Sequence, residues 1–250
     1  MLNKIILPIF LLTTAVTFFT RNNITEVNSI APEVLLQPFQ EKPYVTAPIR
    51  FERDGYRYEL TPLYDYQISG LLVSKMDYKF FSIYKSSSVF PLDVCLLWGS
   101  NVGNRVYQYK RIRFVQDCRW CNVEWWGDIT FNFNEISNNH LIFKEPRLES
   151  LARNLVSGDQ IQITGKLVNV KAHSPGKNEA FNPSDLQWNT SIVRNDTGAG
   201  ACEIVYVEGI RILKKANLIS RALFQTGFAG IIAVIILNVF RFFMGRAVPR

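Results

Sequence analysis

The sequence predicts a mainly β protein tied to a membrane: a small antiparallel barrel or sandwich with one short helix, a C-terminal transmembrane helix, and an N-terminal signal or anchor segment. Three observations carry that prediction. Residues 222–240 contain no charged side chain. Several short runs between Tyr56 and Leu213 are rich in β-branched and aromatic residues. Among the more polar segments, only residues 146–156 have helical spacing, with Leu148, Leu151, Ala152 and Leu155 on one face.

Taken in order, residues 1–21 hold an apolar run, 5–19, introduced by Lys4 and closed by Arg21. Such a run suits a signal h-region but falls short of the roughly 20 residues of a spanning helix. The small residues a signal peptidase needs are scarce: Ala15 is followed by Val16, Thr17, Phe18 and Phe19, which favours an uncleaved anchor. Residues 22–50 contain Pro32, Pro38, Pro43 and Pro48 and read as an extended stalk. An exported β-rich domain is expected over 51–215, with strands at 56–60, 66–73, 78–84, 94–98 and 106–115. The last of these alternates, with Tyr107, Tyr109, Arg111 and Arg113 sharing a face. Pro146 opens the soluble helix and Gly158 ends it. A strand over 160–170 bends at Gly165, residues 173–184 form a loop, and a final strand over 201–213 leads to the span. The segment 158–170 resembles a strand of an oligonucleotide/oligosaccharide-binding (OB-type) barrel, which implies an architecture rather than a family. Residues 221–243 make the transmembrane helix and 244–250 a basic cytoplasmic tail.

Cys95, Cys118, Cys121 and Cys202 give an even count, which in an exported domain points to disulfides of open connectivity. Cys118-Arg119-Trp120-Cys121 has the spacing of redox pairs, but those sit at a helix start and strand-like residues flank this one. A thiol–disulfide exchange role is therefore the least favoured alternative. His140 and His173 complete no metal-binding spacing with these cysteines, so neither a metal nor a cofactor is expected. Asp196-Thr197-Gly198-Ala199 resembles the D-T-G-A motif of retroviral-type aspartic proteases. That resemblance implies a hydrolase in which Asp196 pairs with a second Asp. The family carries apolar residues before the Asp, where this chain has Arg194 and Asn195, and a dimer would have to supply the second D-T-G. The plainer reading is a hairpin turn, and a third reading makes the Gly198 and Gly200 amides, with Arg194, an anion- or ligand-binding rim. His140 becomes a candidate base if it faces Cys202 or Asp196. Trp120, Trp125 and Trp126, with Arg111 and Arg113 nearby, suit a binding face.

An apolar content of 48% excludes a wholly disordered chain, and the formal charge of +7 invites a nucleic-acid partner. Six of the 28 cations, Lys4, Arg21, Arg221, Arg241, Arg246 and Arg250, flank the two apolar runs. Setting them aside leaves 22 positive against 21 negative residues. The excess is membrane-flanking charge, and nucleic acid is not the expected partner. The expectation is a binding or scaffolding module that holds a membrane or envelope protein, or a polymeric ligand, at the bilayer. A bacterial inner membrane with the main domain in the periplasm fits that reading. A hydrolase using Asp196 or a Cys202/His140 pair is the alternative.

Overall fold

The computed structural model describes residues 2–43, 47–79, 88–174, 185–198 and 200–246. Most of the strand expected over 78–84, most of the loop expected over 173–184, Ala199 and the end of the basic tail lie outside the described residues. In chain order the elements are α1 (Leu2–Thr20), β1 (Phe39–Glu41), β2 (Ile49–Arg53), β3 (Tyr56–Asp77), β4 (Leu92–Leu97), α2 (Gly99–Gly103), β5 (Ile112–Asp117), β6 (Trp120–Trp125), β7 (Ile136–Phe143), α3 (Pro146–Arg153), β8 (Gln160–His173), β9 (Asp185–Trp188), β10 (Glu203–Lys214) and α4 (Leu218–Arg246).

β3 replaces the two strands expected over 56–60 and 66–73. Pro62 lacks an N–H and reads as a break, but the chain absorbs it in a bulge. The register against β8 shifts between Pro62 and Tyr64, and pairing continues on both sides. β3 pairs with β4, β4 with β7, β7 with β10, β10 with β8, and β8 again with β3. β1 and β2 add to β3, and β9 adds to β8. The sheet is mixed rather than wholly antiparallel, because β10 runs parallel to β7. Parallel neighbours need a long crossover, and α3 with β8 and β9 supplies it.

One face of this circuit encloses the largest apolar cluster, including Ile68, Leu72, Leu92, Leu96, Leu141 and Val205, with Leu148 and Ala152 of α3 packed against it. The spacing that predicts α3 is the face that seals this core. Lys75 Nζ donates to the carbonyls of Arg153 and Leu155 at 2.6 Å each, satisfying the open end of that helix. At Gly165 a side chain would overlap the Tyr206 carbonyl, and the register of β10 against β8 shifts beside it, between Val207 and Gly209. The strand bends where the sequence places a glycine because only glycine fits there.

Residues 106–115 do not form one strand. Val106–Gln108 is a tight 3-10 turn after Arg105, whose φ is +55, and β5 begins only at Ile112. Tyr107 is the reason: its ring is buried and its hydroxyl donates to the Val27 carbonyl at 2.7 Å. That bond helps to dock the segment expected as a stalk. Val27, Ala31 and Val34 are buried, and the Ala31 N–H donates to Gln160 Oε1 at 2.6 Å. Apolar residues before and between the prolines make the segment adhere.

β5 and β6 form a separate two-stranded sheet, joined through Cys118 and Arg119, both with positive φ. A two-residue turn with that backbone matches the twist of a hairpin. The hairpin is stapled to the main sheet by a disulfide between Cys95 of β4 and Cys121 of β6.

α4 contains one stretch, Leu218–Arg241, long and apolar enough to cross a membrane. α1 lies along it. A side chain at Gly227 would meet Thr14, and one at Gly230 would meet the Phe10 ring, so the helices run antiparallel and touch at these glycines. Asn217 Nδ2 donates to the Thr20 carbonyl at 3.2 Å and to the Asn23 carbonyl at 2.9 Å, fastening the start of α4 to the end of α1.

Candidate functional site

The site begins with a charged residue inside an apolar strand. β4 reads Leu-Asp-Val-Cys-Leu-Leu and is buried along its length. Asp93 is fully buried yet well supplied with donors. Tyr78 Oη donates to its Oδ2 at 2.8 Å, Arg119 Nη1 donates to Oδ1 at 2.9 Å, and His140 Nδ1 lies 2.9 Å from the same Oδ1. The His140 contact is poorly aligned for a hydrogen bond, so charge attraction dominates it. Strand register makes the contact inevitable, because Asp93 stands directly opposite His140.

His140 in turn stands opposite Ile204 of β10, and Cys202 precedes that residue by two. Asn138, two before His140, donates from Nδ2 to the Arg119 carbonyl at 2.7 Å and toward Cys202 Sγ at 3.4 Å. Asp93, Asn138, His140 and Cys202 thus share the sheet face opposite the main core, beneath the β5–β6 turn. Burial works against a charged His140, but the Asp93 carboxylate and the Cys202 side chain outweigh it and raise the imidazole to about 9.

Two cavities open here. One of about 380 Å³ is lined by Arg119, Trp120, His140, Trp188, Asn189 and Cys202, among others. A second, of about 250 Å³, has Trp120 and Cys202 in common with the first and adds Asn138, Asp196, Thr197 and Gly198. Trp120 and Cys202 form their common wall.

The residues marked by the sequence divide accordingly. His140, Cys202, Asp196, Gly198, Gly200 and Trp120 come together at this double cavity. Arg194 is engaged by Glu203, and its Nη2 donates to Gln40 Oε1 at 2.7 Å. Glu203 is buried on the core face; burial, with the Asp196 charge, pushes its carboxyl up to about 8 against the pull of Arg194. Asp196 accepts from Ser191 Oγ at 2.5 Å, the turn-type partner expected of a loop Asp. Trp120, Trp125 and Trp126 are all substantially exposed, at 43%, 39% and 53%, but they do not share one face. Trp125 meets Phe133 at a tilt with ring centroids 5.8 Å apart, while Trp126 lies under Arg113 at 5.4 Å. Arg111 sits at the far end of the hairpin, its carbonyl accepting from the Trp126 N–H at 3.0 Å. Cys95 and Cys121 are bonded; Cys118 is exposed and Cys202 half-buried, both as thiols. Asp93, Tyr78, Trp188 and Glu203 are site residues that the sequence reading missed. For Asp93 the available signal was an acid embedded in six otherwise apolar strand positions.

Among the described residues, no three His, Cys, Asp or Glu side chains converge to hold a metal ion. No family model matches the chain, and neither a curated protein nor a solved structure is similar to it.

Proposed function

We propose that this chain is a membrane-anchored recognition module that holds an extended segment of a partner protein at the tip of its β domain. The observation that carries the proposal is the double cavity under Trp120, held in shape by the Cys95–Cys121 staple and flanked by exposed aromatic side chains. The circuit β3–β4–β7–β10–β8, with α3 before its fourth strand in chain order and a parallel β7–β10 pair, supports an OB-type barrel as the platform. β10 spans Glu203–Lys214 and enters α4, so the cavity end of that strand lies roughly 40 Å from the anchored end, within reach of a partner but off the bilayer surface. A disulfide favours an oxidising compartment for the domain, as the periplasm would be. The local cations favour protein over nucleic acid, since Arg119 and Arg194 are committed to Asp93 and Glu203.

The test is recovery of partners from detergent-solubilised membranes by the full chain. Trp120→Ala and Trp125→Ala should lose the captured protein, and Asp196→Ala should retain it. If both tryptophan variants capture the same partners while Asp196→Ala abolishes a hydrolytic activity, the recognition reading fails.

A further inference from the structure

We infer that Cys202, His140 and Asp93 form a thiol–imidazole–carboxylate relay that cleaves an uncharged acyl ester or thioester bound in the cavity between Trp120 and Trp188. The inference deepens the recognition reading, since its cavity is one of the two proposed to receive the partner segment, and is told apart from that reading by the fate of Cys202 rather than by partner capture. It starts from strand order: β7 lies between β4 and β10, and Asp93 and Ile204 are both in register with His140. Cys202, just before β10, takes the Asn138 Nδ2 contact at 3.4 Å and lines one cavity with His140, so the imidazole has both the Asp93 carboxylate and the Cys202 side chain acting on it. His140 and Cys202 reach the 380 Å³ cavity, whereas Asp93 is wholly enclosed behind the ring.

A buried carboxylate behind an imidazole orients it and stabilises its charged form, and the imidazolium in turn favours the neighbouring thiolate. The groups facing His140 are Asp93 on β4, Arg119 in the β5–β6 turn through its shared hold on Asp93, and Cys202 before β10, while Glu203 on the opposite face of the sheet couples to it only through space. Their balance holds the ring charged, with its titration raised to about 9. The cavity suits a neutral acyl group, since Trp120, Trp188 and Ile204 supply apolar walls and Gln187 and Asn189 supply amides. Asn189 Oδ1 already accepts from Gln187 Nε2 at 3.1 Å, which leaves the Asn189 amide hydrogens for a substrate carbonyl.

In the reaction, Cys202 attacks the carbonyl carbon as the thiolate paired with the charged His140 ring. The carbon–sulfur bond forms and the bond to the leaving oxygen or sulfur breaks, with His140 protonating the departing alcohol or thiol. Water, deprotonated by the now neutral His140, then attacks the Cys202 thioester and releases a carboxylic acid, which restores the Cys202 thiolate and the charged ring. Asp93 is a positioning residue in this scheme.

The experiment uses the full chain in detergent with p-nitrophenyl acetate and p-nitrophenyl butyrate. Wild type and Cys118→Ser should release p-nitrophenol and carry an acyl adduct on Cys202 in a peptide map. Cys202→Ala should abolish the adduct, and His140→Asn should slow turnover by about a hundredfold or more. As a second readout, at about pH 6 iodoacetamide should alkylate Cys202 at least about tenfold faster than Cys118, and His140→Asn should remove the difference. Asp93→Asn should shift the pH profile of that alkylation upward rather than eliminate it. A Cys202 that is neither acylated nor preferentially alkylated in wild type would overturn the inference. So would a Cys118–Cys202 disulfide in the isolated protein.

Discussion

His140 ties stability to pH as well as carrying the proposed chemistry. Its folded-state titration is raised to about 9 from 6.5, so the native state binds this proton more tightly than the unfolded chain. The stabilisation is fully present below pH 6.5 and is lost as pH rises toward 9. The shift corresponds to about 3 kcal/mol. Glu203, raised by burial, acts in the same direction, because ionising it in place costs more than ionising it in the unfolded chain. Thermal unfolding followed by tryptophan fluorescence should therefore show a midpoint that falls across this window. His140→Asn should flatten the fall; an unchanged slope would refute the assignment. Asp93→Ala should cost more, about 3–5 kcal/mol at neutral pH, because Arg119, Tyr78 and His140 all lose their acceptor. The sequence made His140 conditional on facing Cys202 or Asp196, and that condition is a matter of register, which one chain read alone does not reveal. Asp93 was legible only as an anomaly in a buried strand. Trp188 precedes a polar loop and gives no periodic signal that it will wall a cavity.

Among the elements, the β5–β6 hairpin is held by one covalent link, by Ile112 and Phe114 packed inward, and by polar contacts, among them Gln116 Nε2 donating to Asn138 Oδ1 at 2.9 Å. The disulfide closes a loop with a sequence separation of 26, a constraint worth about 3 kcal/mol in the chain-entropy account. Cys95→Ser should loosen the hairpin selectively. Amide exchange should accelerate over Ile112–Trp125 while β3 and β8 keep their protection; uniform loss of protection would show that the hairpin is integral to the core. The elements most legible in sequence were those whose pattern and packing agree: α3, with its single apolar face, and the Gly165 bend. The elements misread are those where tertiary contacts override a local signal. Pro62 looks like a strand end, but β8 runs past it on the other side of the bulge. The alternation over 106–115 looks like a strand, but burying Tyr107 against Val27 outweighs it.

At the scale of the whole molecule, the antiparallel contact of α1 with α4 gives the cationic flanks a geometric meaning. Thr14 faces Gly227 and Phe10 faces Gly230, so the Lys4 end of α1 lies toward the Arg241 end of α4, while Arg21 reaches the Phe224 ring at 3.8 Å on the β-domain side. α1 has 19 residues, about 28 Å of helix, close to a hydrocarbon thickness of roughly 30 Å. Paired with α4 it forms an antiparallel helical hairpin whose Thr20 and Leu218 ends adjoin the β domain. The contacts of Gly227 and Gly230 with α1 predict a chain in which α1 is retained and both helices cross the bilayer. In sealed vesicles a membrane-impermeant maleimide should label Cys118 from one side, and cysteines introduced as Asn3→Cys and Arg246→Cys from the opposite side only. Gly230→Leu should push the helices apart and reduce crosslinking between cysteines placed at Thr14 and Gly227, without altering the Cys95–Cys121 bond. Labelling of Asn3→Cys from the Cys118 side, or recovery of a mature chain lacking residues 2–20, would rule out the hairpin.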